Sequence, residues 1–200
     1  MERKNVCLSK LRKSDNVLDL ATGTGDIALK LLSKKKSIRI TCLDENQEML
    51  NICKDRFMDN GFVKDILFIK SPAETAKLEK NKYTLATIAF GFRNFTDHSK
   101  ALQNIYNSLM PGGRLVIMEF TTPKNKLIKN IFEKYTHNII PKMGKIIADD
   151  YDSYRYLAES ISTYYSPAEV SDLYAEAGFI NTRYEILVGQ TASWSWGYSC

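Results

Sequence analysis

The chain has 200 residues, 44% of them hydrophobic, a size and composition that suit one globular domain with its own core. Lys and Arg outnumber Asp and Glu by 28 to 23, and a solvated surface explains this mild excess, so a nucleic-acid partner is not expected. Four cysteines without a CxxC pair and only two histidines leave little for a metal site, and no apolar run reaches the ~20 residues of a membrane span, so the sequence predicts a cytoplasmic protein without a metal.

The segment NVLDLATGTGD, residues 16–26, predicts a strand, a glycine turn and the start of a helix. Val17, Leu18 and Leu20 read as a short buried strand, and Gly23 and Gly25 break it. Glycine suits such a turn because it lets a ligand lie directly against the backbone. The pattern is half of a nucleotide-binding crossover.

Asp44 ends a second apolar strand, residues 38–43, about 20 residues beyond the glycine turn, where an acid would reach a ribose. The run Gly23 to Ala28 also satisfies the loose GxGxxA dinucleotide pattern, so a nicotinamide cofactor and S-adenosylmethionine both stay open. Asp19, inside the end of the first strand, favours S-adenosylmethionine, because a carboxylate suits a cationic amino-acid group better than a pyrophosphate.

The next elements continue the alternation of strands and helices. A helix is expected over 46–60, with Met49, Ile52, Cys53 and Phe57 on its apolar face, and is followed by a strand over 66–69, a polar loop over 71–82 and a strand over 83–90. Asp97 then caps a helix whose apolar stripe ends at Leu109. A turn at Pro111-Gly112-Gly113 leads into a strand over 114–120. This order predicts a parallel sheet with helices on both faces, and ligands of such sheets bind beyond the carboxyl ends of the strands.

The last third of the sequence has a different pattern. Two helices are expected over 126–141 and 153–161, and Ser166 begins a third helix with a capping box that ends at Gly178. The runs RYEILVG and QTASWSWGY are strand-like, and the short break between them permits only an antiparallel hairpin. The sequence therefore predicts an α/β fold with a Rossmann-like, doubly wound, mostly parallel seven-stranded sheet that ends in a hairpin, which counts against a nicotinamide cofactor.

With these residues placed, the chain resembles the class I S-adenosylmethionine-dependent methyltransferases and, within them, the C-methyltransferases of menaquinone and ubiquinone biosynthesis. The segments VLDLATGTGD, FGFRNFTD, LMPGGRLVIMEF and DSYRYLAESI carry the resemblance in the family's order over nearly the whole chain. PGGRL is common to many methyltransferases, whereas FGFRNFTD and SYRYLAESI are specific. The resemblance implies that the protein methylates a ring carbon of a polyprenylated benzoquinol or naphthoquinol, and that residues 1–200 form one methyltransferase domain. It also implies a protein that is peripheral at the inner face of the membrane, and a homodimer is one open assembly.

The resemblance also implies roles for individual residues. Arg93 and Asn94 should stand at the reacting face, where a guanidinium and an amide can stabilise a developing phenolate and hold a water that carries the proton. Tyr154, Tyr156 and Glu159 should line the side of the methyl acceptor, with core packing as the alternative for the two tyrosines. The residues expected to border the cofactor are Asp19, Gly23, Thr24, Gly25, Asp44, Pro72, Ala73 and Ala89.

The sequence departs from the family pattern at several positions. About fifteen residues precede Asn16, where the family has a longer helical segment, so a truncated chain or a more open cofactor site is expected. Pro72 offers no side-chain hydrogen bond where the family has Asp or Asn, and Ala89 stands where serine is common. Two alternatives therefore stay open: an RNA methyltransferase, favoured by the positive charge, and a binding or scaffold protein with a methyltransferase core that has lost turnover.

Overall fold

The computed structural model describes residues 11, 14–121, 160–161, 164–187 and 190–200. The expected helix over 126–141 and most of the one over 153–161 lie outside these residues, as does the basic stretch from Lys124 to Lys145. Within the described part of the chain, no helix is long and apolar enough to cross a membrane.

From Asn16 to Phe120 each strand is followed by a helix or a helical turn, except that a loop joins the third strand to the fourth. The strands are β1 (Asn16–Leu20), β2 (Arg39–Asp44), β3 (Ile66–Lys70), β4 (Tyr83–Ala89), β5 (Leu109–Phe120), β6 (Ile180–Ile186) and β7 (Ala192–Tyr198), and the helices are α1 (Asp26–Lys34), α2 (Gln47–Asp59), α3 (His98–Ser108) and α4 (Pro167–Glu176), with a 3-10 turn at Phe92–Asn94.

One sheet contains all seven of these strands, in the order β3-β2-β1-β4-β5-β7-β6. The pairs among β1 to β5 are parallel, whereas β7 runs antiparallel to both β5 and β6. The predicted fold class, a mostly parallel sheet that ends in a hairpin, is confirmed. The chain order reverses at β1, where β2 lies on one side and β4 on the other, and this is the switch point at which such sheets bind ligands.

The two faces of the sheet bury separate cores. One core packs α1 and α2 through residues such as Leu31 and Phe57, and the other packs α3 and α4 through residues such as Leu102 and Tyr174. Cys53, expected on the apolar face of its helix, is fully buried, and so is Cys42 of β2. Apolar residues on both faces explain why β1 and β4 read as nearly continuous hydrophobic runs.

The helix starts follow the expected capping chemistry. The Asp97 carboxylate accepts from the Lys100 backbone N–H at 2.9 Å, as predicted. Ser166 and Glu169 form the complete capping box that the sequence predicted, with reciprocal hydrogen bonds between each side chain and the other residue's backbone. These caps determine where α3 and α4 begin.

Two local expectations are wrong. Strand β5 begins at Leu109 rather than residue 114, because Leu109 pairs with Tyr83, and the strand passes through Pro111-Gly112-Gly113 with a shift of register. Met49 and Ile52 are exposed, since α2 packs through Leu50, Cys53 and Phe57.

Candidate functional site

The glycine turn between β1 and α1 is shaped by its contact with α2. Gly25 has φ 84°, and a Cβ there would lie 2.5 Å from Cys53 Sγ and 2.9 Å from the Phe57 ring. A side chain is therefore excluded both by the backbone conformation and by the neighbouring helix. The turn closes through a hydrogen bond from Gly25 N to Thr22 O at 2.9 Å.

Asp44 connects this turn to the end of β2. One carboxylate oxygen accepts from Gly23 N at 2.8 Å, and the other accepts from Asn46 N at 2.9 Å. Asp44 is half-buried and faces the space beyond the sheet. The acid predicted to reach a ribose thus also fixes the backbone of the glycine turn.

A cleft of about 320 Å³ lies beyond the carboxyl ends of β1 to β4. This volume falls at the lower end of the range of about 300–1,000 Å³ that is usual for small-molecule sites. The residues that line it are Ala21, Gly23, Leu43, Asp44, Glu45, Met49, Ser71, Pro72, Ala73, Glu74, Ala89, Phe90, Gly91, Asn94, Phe95 and Thr96.

The structure brings six of the predicted site residues together around this cleft: Gly23, Asp44, Pro72, Ala73, Ala89 and Asn94. Thr24 and Gly25 lie in the adjoining turn and are not part of the lining. The Thr24 hydroxyl donates to Asp26, and its carbonyl accepts from Arg56 Nη1 at 2.8 Å. Arg56 of α2 also pairs with Asp26 at 2.7 Å, so it braces the turn from outside.

Asp19 lies beneath the cleft rather than in its wall. The residue is only 2% exposed, and its two oxygens accept from the hydroxyls of Thr22 and Thr87, each at 2.6 Å. Burial raises the pKa of Asp19 to about 6, although the two hydroxyl groups oppose the shift. The expected contact between Asp19 and the cofactor stays a prediction.

Arg93 lies behind the cleft and is held on several sides. Its Nη1 donates to Glu119 at 2.9 Å and also to the Phe90 carbonyl, and its Nε donates to Ser160 at 3.3 Å. Its guanidinium carbon lies 5.5 Å from the centre of the Phe120 ring. Arg93 is therefore a fixed, mostly buried positive charge next to Asn94, which is exposed in the cleft.

Glu119, near the end of β5, is a site residue that the sequence did not assign to a role. Burial raises the pKa of Glu119 above its ordinary value, and the charge of Arg93 opposes this shift. The nearby Tyr164 hydroxyl is buried and has no hydrogen-bond partner among the described residues. Burial, followed by the negative charge of Glu119, raises the pKa of Tyr164, so this phenol is neutral at physiological pH.

The charge of the cleft discriminates between the two cofactors considered for it. Asp44, Glu45 and Glu74 contribute three carboxyl groups to the lining, whereas no Lys, Arg or His is among the described residues that line it. An acidic cleft attracts a cationic sulfonium and repels a pyrophosphate. The residues present therefore fit S-adenosylmethionine.

Glu74 and Asn104 were missed by the sequence analysis. Glu74 accepts from the backbone N–H groups of Thr96 and Asp97, at 2.8 and 3.3 Å, and so holds the loop after β4. Asn104 of α3 donates to the carbonyls of Ala73 and Ala76. Glu74 could have been found from its position beside Ala73, whereas Asn104 carries no signal without the packing of α3.

Three predicted site residues, Tyr154, Tyr156 and Glu159, lie outside the described residues. Ser160, which follows them, is described and contacts Arg93. The structure thus connects the end of this segment to the site without testing the three residues themselves.

Residues 2–199 match the family model described as the ubiE/COQ5 methyltransferase family. The ubiquinone/menaquinone biosynthesis C-methyltransferase UbiE of Marinomonas sp. (strain MWYL1) is 38% identical over 189 residues, which are 94% of this chain and 75% of that protein. The protein of the same name from Wigglesworthia glossinidia brevipalpis is 41% identical over 170 residues, covering 84% of this chain and 68% of the relative.

Solved structures share the fold at low sequence identity. A SAM-dependent methyltransferase from Aquifex aeolicus superposes with a TM-score of 0.66 at 18% identity, over 93% of this chain and 82% of the other. The phosphoethanolamine N-methyltransferase 2 of Haemonchus contortus, in complex with S-adenosyl-L-methionine, superposes with a TM-score of 0.72 at 12% identity, over 96% of this chain and 50% of the other.

Proposed function

Because this chain belongs to the ubiE/COQ5 methyltransferase family, we propose that it transfers a methyl group from S-adenosylmethionine to a ring carbon of a polyprenylated quinol, demethylmenaquinol or the equivalent ubiquinone precursor. The observation that carries the proposal is the lining of the acidic cleft. Phe90, Gly91, Asn94, Phe95 and Thr96 of the family-specific segment FGFRNFTD line this cleft together with Gly23 and Asp44. The segment that distinguishes the family therefore faces the place where the cofactor fits.

The cofactor-binding residues act through backbone groups and carboxylates. S-adenosylmethionine, when bound, supplies an electrophilic methyl group on a positively charged sulfur. Gly23 lets the ligand approach the main chain, and Asp44 is placed to accept hydrogen bonds from ribose hydroxyls. Glu45 and Glu74 add negative charge to the walls, and the positions of Pro72, Ala73 and Ala89 make these residues apolar contacts of the ligand.

Asn94 and Arg93 act on the quinol. The ring carbon becomes nucleophilic when a ring hydroxyl loses its proton to a water in the cleft, and the carbon then forms its new bond to the methyl group as the carbon–sulfur bond breaks. The same carbon then loses its hydrogen as a proton and the ring oxygen regains one, which restores the aromatic quinol. Asn94 can hold the quinol oxygen or that water, and the fixed charge of Arg93 favours the phenolate from behind. Correct placement of the reacting atoms at about 3–3.5 Å completes the contribution of the protein.

The cellular setting follows from the substrate. A polyprenyl tail lies in a bilayer, so we place the enzyme in the cytoplasm, peripheral at the inner face of the membrane, with the basic stretch from Lys124 to Lys145 as the contact to anionic lipid. Tyr154, Tyr156 and Glu159 are the residues proposed for the acceptor side, and a homodimer is the proposed assembly. The single seven-stranded sheet supports the proposal that residues 1–200 form one domain.

The test combines binding with methyl transfer. We expect calorimetric titration to show micromolar binding of S-adenosylhomocysteine and none of NADH, and we expect tritium from methyl-labelled S-adenosylmethionine to appear on a short-chain demethylmenaquinol. Binding without transfer to naphthoquinol or benzoquinol acceptors would indicate a core that has lost turnover. Transfer of label to RNA in place of the quinols would contradict the proposed substrate.

A further inference from the structure

Glu119 is a buried acid at the carboxyl end of β5, close to the candidate site but not in its lining. Its side chain is 3% exposed, and it accepts three hydrogen bonds, from Arg93 Nη1 at 2.9 Å, from Arg93 N at 3.2 Å and from Phe120 N at 2.9 Å. A carboxylate in such an environment is costly unless it is paired. Two of the three donors belong to Arg93, so the pairing is specific to that residue.

Glu119 fixes Arg93 at both its backbone and its guanidinium. The bond to Arg93 N holds the 3-10 turn Phe92–Asn94, and the bond to Nη1 sets the direction of the side chain. Ser160 and the Phe90 carbonyl add neutral oxygens as acceptors for Nε and Nη1, and Glu119 adds the balancing charge. The same contacts determine where Asn94, the next residue, enters the cleft.

The two ends of the loop that contains Arg93 are held by contacts that do not involve Glu119. A Cβ on Gly91 would lie 2.4 Å from Ala21 Cβ, so the start of this loop touches the turn that follows β1. Glu74 holds the far end of the loop through Thr96 and Asp97. Glu119 is thus the contact at the middle of a loop whose two ends are already fixed.

We propose that Glu119 is a positioning residue for methyl transfer, which acts through Arg93 and Asn94 and does not touch the cofactor or the quinol. This inference rests on the function proposed above. It predicts that the loss of Glu119 lowers the rate of the chemical step while the affinity for the cofactor is kept, because the cofactor cleft is built from other residues. If the Glu119 carboxylate served only to stabilise the fold, its loss would lower the unfolding temperature and leave the turnover per folded molecule unchanged.

The experiment is a double-mutant cycle on kcat with Glu119→Gln, Arg93→Met and the double variant, measured with a short-chain demethylmenaquinol. Glu119→Gln should lower kcat about 100-fold, because a misplacement of catalytic groups by about 1 Å has an effect of this size. The dissociation constant of S-adenosylhomocysteine should stay within about threefold of wild type. In the Arg93→Met background the same substitution should lower kcat less than about threefold. Glu185→Gln, the same change on the exposed strand β6, is the matched control and should keep wild-type kcat.

The outcomes separate this inference from the proposed function. A wild-type chain with neither cofactor binding nor methyl transfer overturns the proposed function, and with it the role of Glu119. An active wild type in which Glu119→Gln keeps kcat, or lowers it equally in both backgrounds, overturns the positioning role alone. If Glu119→Gln does not fold, Glu119→Asp keeps the charge and shortens the reach: a folded variant with reduced kcat and unchanged cofactor affinity supports the inference, and unchanged kcat overturns it.

Discussion

Asp19 is well hydrogen-bonded, yet its burial makes its ionised form unfavourable for the stability of the fold. The carboxylate accepts two short hydrogen bonds from Thr22 and Thr87, but it lies almost completely out of water. Since burial is the largest influence on it, the folded protein favours the protonated form more than the unfolded chain does. The ionised form at neutral pH therefore opposes folding.

The substitution Asp19→Asn should change how stability depends on pH. The folded pKa of about 6 exceeds the ordinary value of 3.8, so the stabilising contribution of Asp19 is complete below about pH 4 and is lost as the pH rises through 6. Urea unfolding between pH 4 and 7.5 should show the variant gaining stability relative to the wild type, by up to about 3 kcal/mol, as the pH rises.

The control for this experiment is Asp26→Asn, whose stability relative to the wild type should stay nearly constant between pH 4 and 7.5 and rise only below about pH 4. The hydrogen bond from Arg56 lowers the pKa of Asp26, so the contribution of this mostly exposed residue is lost as the pH falls. Parallel stability curves for wild type and Asp19→Asn would contradict the assignment of a raised pKa to Asp19.

At the scale of residues, the sequence predicts positions in a motif better than partners across the sheet. Gly23 and Asp44 were assigned from a local pattern and Asn94 from the family resemblance, and the structure places all three in one cleft. The pairing of Arg93 with Glu119 was not predictable in this way, because it depends on β4 and β5 being neighbours and on the depth at which each strand ends.

At the scale of elements, the packing of helix α4 also depends on which strands are neighbours in the sheet. Its Tyr174 is fully buried, and the hydroxyl lies 3.4 Å from the Leu115 carbonyl of β5 and 3.2 Å from the Ser195 carbonyl of β7. The ring packs at 5.1 Å from Phe179, and a Cβ on Gly197 would come within 2.9 Å of it. One side chain thus joins the helix to two antiparallel strands.

Tyr174→Phe keeps the ring and removes the hydroxyl. We expect a loss of about 1 kcal/mol in the free energy of unfolding, because the two carbonyls keep their bonds within the sheet and only the shared hydroxyl contact is lost. Urea unfolding measures the change. Tyr184→Phe on the exposed strand β6 is the control and should stay within about 0.5 kcal/mol of wild type. Equal effects of the two substitutions would mean that the buried hydroxyl contributes nothing specific.

Helix starts were predictable because their signals are local, whereas the start of β5 was not. Asp97 and Ser166 cap the residues that follow them within one turn, so the sequence alone is sufficient. Leu109 follows the apolar spacing of α3, and only its pairing with Tyr83 makes it the first residue of β5. The pairing of two strands here overrides the helical spacing of apolar residues.

At the scale of the whole molecule, the cleft belongs to four strands at once. The turn after β1, the end of β2, the loop after β3 and the loop after β4 all contribute to its lining. The sequence predicted the class of the sheet but not the order of its strands. This order is what brings the four segments together. A ligand in the cleft therefore connects parts of the chain that are distant in sequence.

Binding of S-adenosylhomocysteine should slow amide hydrogen exchange in all four segments together. We expect protection at residues 21–25, 44–46, 71–76 and 89–96, because the ligand must leave before any one of them can open freely. Residues 110–114, at the opposite end of the sheet, serve as the internal control and should exchange at the same rate with and without ligand. Protection confined to the glycine turn would mean that the ligand does not occupy the whole cleft.

The strand order also has a consequence for synthesis on the ribosome. Strand β5 is paired on one side by β4, which emerges before it, but on the other side by β7, which emerges only after residues 121–191. Until then the free edge of this long strand offers unpaired backbone groups to other chains. The nascent protein therefore has an open sheet edge until β7 is made, and this is the period in which a holding chaperone would matter most.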